Sequence, residues 1–121
     1  MAVARVLCVD DALFMRTKAA RLLGDHGYEV LEAVDGAEAV EKYFEKRPDV
    51  VLMDITMPVL GGIDAVKAIR ERDPEAKVIM VTALSQRSMV LEAIRAGARD
   101  FVTKPYDPKK LLEAVGKQCQ P

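Results

Sequence analysis

The stretch VVLMDITMPVLGG, residues 50–62, decides the fold. Val50 to Met53 are apolar without alternation, and the run stops at one carboxylate, Asp54. A strand with one wet face alternates in polarity. An unbroken apolar run of this length suits a strand covered on both faces, as in a parallel sheet. The same pattern recurs on either side. Val6-Leu7-Cys8-Val9 runs into Asp10 and Asp11, Val78-Ile79-Met80-Val81 ends at Thr82, and the shorter Phe101-Val102 leads to Thr103 and Lys104. Tyr28 to Ala33 mixes polar and apolar residues and fits an edge strand.

Between these runs the apolar period becomes helical. Met15, Ala19, Leu22 and Leu23 share a face, as do Gly36, Ala39, Val40, Tyr43 and Phe44. Ile63, Val66 and Ile69 repeat the spacing, followed by Val90, Ala93 and Ile94 and then Leu111, Ala114 and Val115. Gly27 and Gly97 stand where left-handed helix caps are wanted. Asp73-Pro74 closes the third helix, and Asp107-Pro108 opens the fifth as a cap followed by proline. Five strands alternating with five helices imply an α/β fold, a parallel sheet with helices on both faces and right-handed crossovers. An eight-unit barrel does not fit into 121 residues, which leaves an open doubly wound sheet.

At 121 residues the chain is expected to form one domain over 1–121. Eighteen basic against nineteen acidic side chains exclude a strongly basic nucleic-acid binder as first choice. No apolar run reaches the roughly 18 residues of a membrane span, and Met1 to Leu7 lack a signal-peptide pattern, so a cytoplasmic protein is expected. Cys8 and Cys119 make no disulfide framework; Cys8 reads as a small buried hydrophobe. His26, the one histidine, reads as a surface residue at a helix end.

In open parallel sheets function gathers outside the carboxyl ends of the strands. Here those ends carry Asp10 and Asp11, Asp54, Thr82 and Lys104. Three carboxylates in one pocket repel each other, and a divalent cation such as Mg²⁺ relieves this with oxygen ligands. Lys104 offers a compact charge for phosphate and Thr82 a hydroxyl donor. Together they form a receptor for a phosphoryl group, and a carboxylate among them can act as nucleophile. Each piece alone has a plainer explanation: Asp11 as the cap of the first helix, Thr82 as an ordinary strand residue, Lys104 as a solvated loop lysine.

The chain resembles the CheY-like receiver domains of bacterial two-component response regulators. Val9-Asp10-Asp11, Met53-Asp54-Ile55-Thr56-Met57-Pro58 with Gly62, Val81-Thr82-Ala83, Ala96-Gly97-Ala98 and Phe101-Val102-Thr103-Lys104-Pro105 carry the resemblance, which spans Arg5 to Val115. It implies a flavodoxin-like strand order 2-1-3-4-5 and Asp54 as phosphoacceptor from a histidine kinase. Mg²⁺ would be held by Asp11, Asp54 and the backbone carbonyl of Thr56, with Asp10 helping through water. Lys104 would pair with the phosphoryl group, Thr82 would hydrogen-bond it, and Phe101 would turn inward. The Lys104–Pro105 bond would be cis. The fourth helix, fifth strand and fifth helix would be the switched surface, with Met89 and Val90 on or near it; for Val90 core packing is favoured. Positions that tune acyl-phosphate lifetime in this family fall on Thr56 and Leu84, and Leu84 cannot hydrogen-bond a water.

A phosphoacceptor switch is therefore expected rather than a turnover enzyme. Control of the flagellar motor switch in chemotaxis is the first choice. A phosphorelay intermediate or a receiver cut from a DNA-binding regulator is the alternative. If the 121 residues are the whole protein, output by protein binding is expected; if they are cut from a longer regulator, a DNA-binding or enzymatic output lies elsewhere. A flavin or nucleotide carrier on the same topology would need a glycine-rich phosphate loop where Asp10-Asp11 stands. A haloacid-dehalogenase-type phosphatase would need an acid at Thr56.

Overall fold

The structure is a computed structural model and describes residues 3–119. Its elements are β1 (Arg5–Val9), α1 (Leu13–Asp25), β2 (Glu29–Ala33), α2 (Gly36–Lys46), β3 (Val50–Asp54), α3 (Gly62–Arg72), β4 (Val78–Thr82), a 3₁₀ segment (Leu84–Met89), α4 (Val90–Arg95), β5 (Asp100–Thr103) and α5 (Pro108–Gln118). The five strands form one sheet in the order β2-β1-β3-β4-β5, and every neighbouring pair is parallel. The doubly wound topology expected from the apolar runs is present.

The continuous runs have a direct physical reason. In β1, β3 and β4, alternate residues feed two separate cores. Leu7, Val9, Val51, Met53, Val78 and Met80 pack in one core with residues of α2 and α3. Val6, Cys8, Val50, Leu52, Ile79 and Val81 pack in the other with residues of α1 and α5. Buried Cys8 is one of these core residues, and burial, with Glu32 and Asp10 nearby, pushes its thiol up to about 12. β2 is the edge strand, exposed at Glu29 and Glu32.

The helix ends follow the expected signals. Gly27 and Gly97 have φ of 89° and 119°, and the Asp107 side chain accepts from Lys109 N–H at 3.0 Å with Pro108 starting α5. His26 is the exposed residue that closes α1. Asp11 does not cap α1: the cap position is Ala12, and its N–H is taken by Asp10 Oδ1 at 2.9 Å.

The fourth helix departs from the expected face. It is only Val90–Arg95, preceded by the 3₁₀ segment, and of the Val90, Ala93, Ile94 set only Ala93 is buried. Ile94 is exposed, and Val90, favoured as core, is half-buried, while Met89 packs against the core. All three positions lie within α4 itself, so their helical spacing is kept, but a helix of six residues turns only Ala93 fully into the core and leaves Ile94 at its rim.

Gly62 fixes where β3 ends. A Cβ on it would lie 2.0 Å from the carbonyl oxygen of Asp54, and its N–H donates to the Ile55 carbonyl at 2.7 Å. Gly62→Ala must push α3 away from the strand end, so it is expected to lower stability by about 2–3 kcal/mol. Urea denaturation would show this as an earlier midpoint at unchanged slope.

Candidate functional site

The carboxyl edge of the sheet gathers the residues that the sequence placed at strand ends. Asp10, Asp54 and Thr82 are buried at the ends of β1, β3 and β4, and Asp11 is exposed beside them. Asp10, Asp11 and Asp54 each offer a carboxylate oxygen within 4.8 Å of the others. Lys104 follows β5, the far edge strand, and its side chain reaches back across the strand ends. Its Nζ lies 2.8 Å from Asp10 Oδ2 and 3.5 Å from Asp54 Oδ2. The main chain supports this reach, since Lys104 N–H donates to the Thr82 carbonyl at 2.7 Å and the Lys104–Pro105 bond is cis.

Electrostatics sharpen the picture. Burial pushes the Asp54 carboxyl up to about 6; Lys104 opposes this, while Asp10 and Asp11 add to it. Burial works against the Lys104 ammonium, yet its hydrogen bond to Asp10 and the charges of Asp54 and Asp10 leave its affinity for the proton raised. The Lys104 ammonium thus pairs with two of the three carboxylates, Asp10 and Asp54. Three hard oxygen donors at this spacing suit a divalent cation such as Mg²⁺, so the donor set fits the metal that the strand-end chemistry calls for.

The sign of the Asp54 shift gives a test. Its carboxyl is harder to ionise folded than unfolded, so its contribution to stability is fully present below about pH 4 and is lost as pH rises through about 6. The pocket is partly screened by solvent, so the loss is about 1–2 kcal/mol. Metal-free wild-type protein should lose stability relative to Asp54→Asn across that window in paired thermal melts. Parallel curves would remove the shift.

Thr56, two residues after Asp54, is exposed, and its Oγ1 accepts from Gln86 Nε2 at 2.6 Å. Gln86 Oε1 in turn accepts from Ala83 N–H at 2.9 Å, so one side chain ties the loop after β3 to the loop after β4. Sequence reasoning did not single out Gln86; a lone polar residue in a loop gives no period to read. The side chain of Leu84 lies outside the described residues. Phe101 is 45% exposed on β5. With Thr82, Arg87, Val90 and Thr103 it lines a cavity of about 400 Å³.

Comparison with known proteins follows the same pattern. Residues 6–116 match the family model described as the response regulator receiver domain. The chain is 54% identical over 114 residues to a chemotaxis protein CheY of Thermotoga maritima, covering 93% of this chain and 95% of that one. It is 52% identical to a chemotaxis protein CheY of Bacillus subtilis at the same coverage. Among solved structures, a CheX–CheY–BeF3–Mg²⁺ complex from Borrelia burgdorferi superposes with a TM-score of 0.90 at 36% identity, covering 98% of this chain and 90% of that one.

Proposed function

This chain belongs to the response regulator receiver domain family, and from that premise we propose that it is a CheY-type chemotaxis regulator switched by phosphorylation of Asp54. Receiver domains of this kind are signalling switches rather than turnover enzymes. The observation that carries the proposal is the Lys104 ammonium set between Asp10 and Asp54, with Asp11 completing the acid trio. The Borrelia relative described with Mg²⁺, BeF3 and CheX supports the same use of the site.

In the proposed reaction a histidine kinase presents its phosphohistidine to the pocket. An Asp54 carboxylate oxygen forms a bond to phosphorus as the phosphorus–nitrogen bond breaks, and the departing imidazole nitrogen takes up a proton. Asp11, Asp54 and the Thr56 backbone carbonyl would hold Mg²⁺, with Asp10 acting through water. The bound ion supplies charge neutralisation for the crowded oxygens. Lys104 then exchanges its contact with Asp54 for the phosphoryl oxygens, and the Thr82 hydroxyl donates to another. Thr82 moving toward the phosphoryl group leaves room for Phe101 to turn into the cavity the two residues share. That changes the α4–β5–α5 face, where Leu91, Ile94 and Phe101 stand exposed, and biases it toward a bound form.

The chain acts as one receiver unit in the cytoplasm, and its partner is a flagellar motor switch protein. Among the described residues no helix is long and apolar enough to cross a membrane. The test uses the protein, Mg²⁺ and acetyl phosphate, followed by intact-mass measurement. One added phosphoryl group, with binding to the motor switch protein only in the labelled form, is the expected result. No label under these conditions overturns the proposal. Equal binding with and without label overturns the switch.

A further inference from the structure

A pair of carboxylates serves a cation only as well as its orientation is fixed, and Asp10 and Asp11 are held in different ways. Asp10 is fixed through its side chain, by Ala12 N–H at 2.9 Å and Lys104 Nζ at 2.8 Å. Asp11 is exposed, and the direction in which its Cα–Cβ bond leaves the chain follows the plane of the peptide it shares with Asp10. The peptide joining residues 10 and 11 is clasped at its carbonyl: Arg16 Nη1 donates to the Asp10 carbonyl at 2.8 Å. The same guanidinium donates through Nε to Glu32 Oε1 on β2 at 2.9 Å. Its side chain is only 11% exposed, against 45% for Glu32. On the other side of the same residue, Asp10 N–H donates to the Ala33 carbonyl at 3.2 Å.

We propose that Arg16 is a positioning residue for the divalent-cation site: by holding the Asp10 carbonyl it fixes the plane of the 10–11 peptide and so aims the Asp11 carboxylate toward Asp54. This rests on the cation-binding role proposed above for the acid trio. The residue type and place fit the task. Long side chains on a helix lean toward its N-terminus, so a residue in the first turns of α1 reaches back over the loop that precedes it. A planar guanidinium donates in two directions at once, to the loop and to the neighbouring strand, which a lysine does not do with the same geometry.

Charge and positioning predict opposite signs. A cation near an acidic cluster competes with a metal ion, so removing Arg16 as a mere charge tightens Mg²⁺ binding. Removing it as a positioning group lets the 10–11 peptide rotate and weakens binding. Groups that orient metal ligands typically contribute tenfold or more in affinity.

The experiment is calorimetric titration of Mg²⁺ alone into the full chain, with circular dichroism to establish that each variant is folded. Arg16→Met, of similar length and without charge, is expected to weaken binding by about tenfold. Arg16→Lys, which keeps one donor for the Asp10 carbonyl, should recover part of that loss. Affinity in Arg16→Met equal to or tighter than wild type overturns the proposal, whatever happens to its melting temperature. If Arg16→Met does not fold, the double variant Arg16→Lys with Glu32→Gln decides: weaker binding supports the clasp, and wild-type affinity overturns it. Wild-type protein that takes up no Mg²⁺ overturns the cation site and this proposal together, a result distinct from failure of Arg16 alone.

Discussion

Asp54→Asn protein incubated with Mg²⁺ and acetyl phosphate should carry no acyl phosphate, a label that base or hydroxylamine releases, while the wild-type chain carries one. The other two carboxylates are poor substitutes for different reasons. Asp10 has both oxygens engaged, by Ala12 N–H and by Lys104. Asp11 is exposed, outside the buried end of the sheet where Lys104 and Thr82 stand. An amide at residue 54 keeps the shape of the side chain but lacks the nucleophilic oxygen pair. It also removes the buried carboxyl that is hard to ionise, so the variant should be folded and, without metal, no less stable than wild type near neutral pH. That stability matters for the inference, because loss of label in a folded protein cannot be assigned to unfolding. A variant that labels at the wild-type rate moves the nucleophile to another carboxylate.

Much of this site could be read from the chain because buried parallel strands announce themselves twice. Each is an unbroken apolar run, since both faces are covered, and each stops at the first residue that needs water or a partner. Asp10, Asp54 and Thr82 stand at such stops, and the sheet order brings them together without any proximity in sequence. Lys104 follows the same rule, although β5 is short and its Phe101 and Thr103 face solvent. The features that stayed hidden have no period. The Arg16 clasp joins a helix to a backbone carbonyl and to the strand beyond, and Gln86 bridges two loops. Nothing in an isolated arginine or glutamine separates such a role from ordinary solvation. Val59 is another case: it adopts φ of 68°, a left-handed conformation that a β-branched residue rarely takes, within a turn closed by Leu60 N–H to the Pro58 carbonyl at 2.8 Å. The exposed Ile94 shows the converse failure, where a helical spacing over three residues marks a face that a six-residue helix buries at Ala93 alone.

Lys104→Ala should separate cation binding from switching. In the metal-free protein its ammonium is the nearest counter-charge to Asp10 and Asp54, at 2.8 and 3.5 Å. Without it, Asp10 loses a hydrogen bond and Asp54 loses the group that restrains its upward shift, so its carboxyl should titrate above about 6. The expected cost in stability is about 1–3 kcal/mol without metal. Addition of Mg²⁺ should restore much of it, because binding to the folded state alone adds stability by mass action and the acid trio remains. The thermal midpoint of the variant should therefore depend on Mg²⁺ more steeply than that of wild type. Labelling with acetyl phosphate should persist at a reduced rate, since the nucleophile is intact. Binding of the motor switch protein should not follow the label, because the phosphoryl oxygens have lost the partner that pulls the strand ends into the bound arrangement. Melting with and without Mg²⁺, intact mass and partner binding on the same preparation distinguish these effects. Label-dependent binding at wild-type strength would remove Lys104 from the switch and leave it as a local counter-ion. Loss of Mg²⁺ dependence would instead mean that the ammonium helps to shape the acid trio, a role that its hydrogen bond to Asp10 alone does not require.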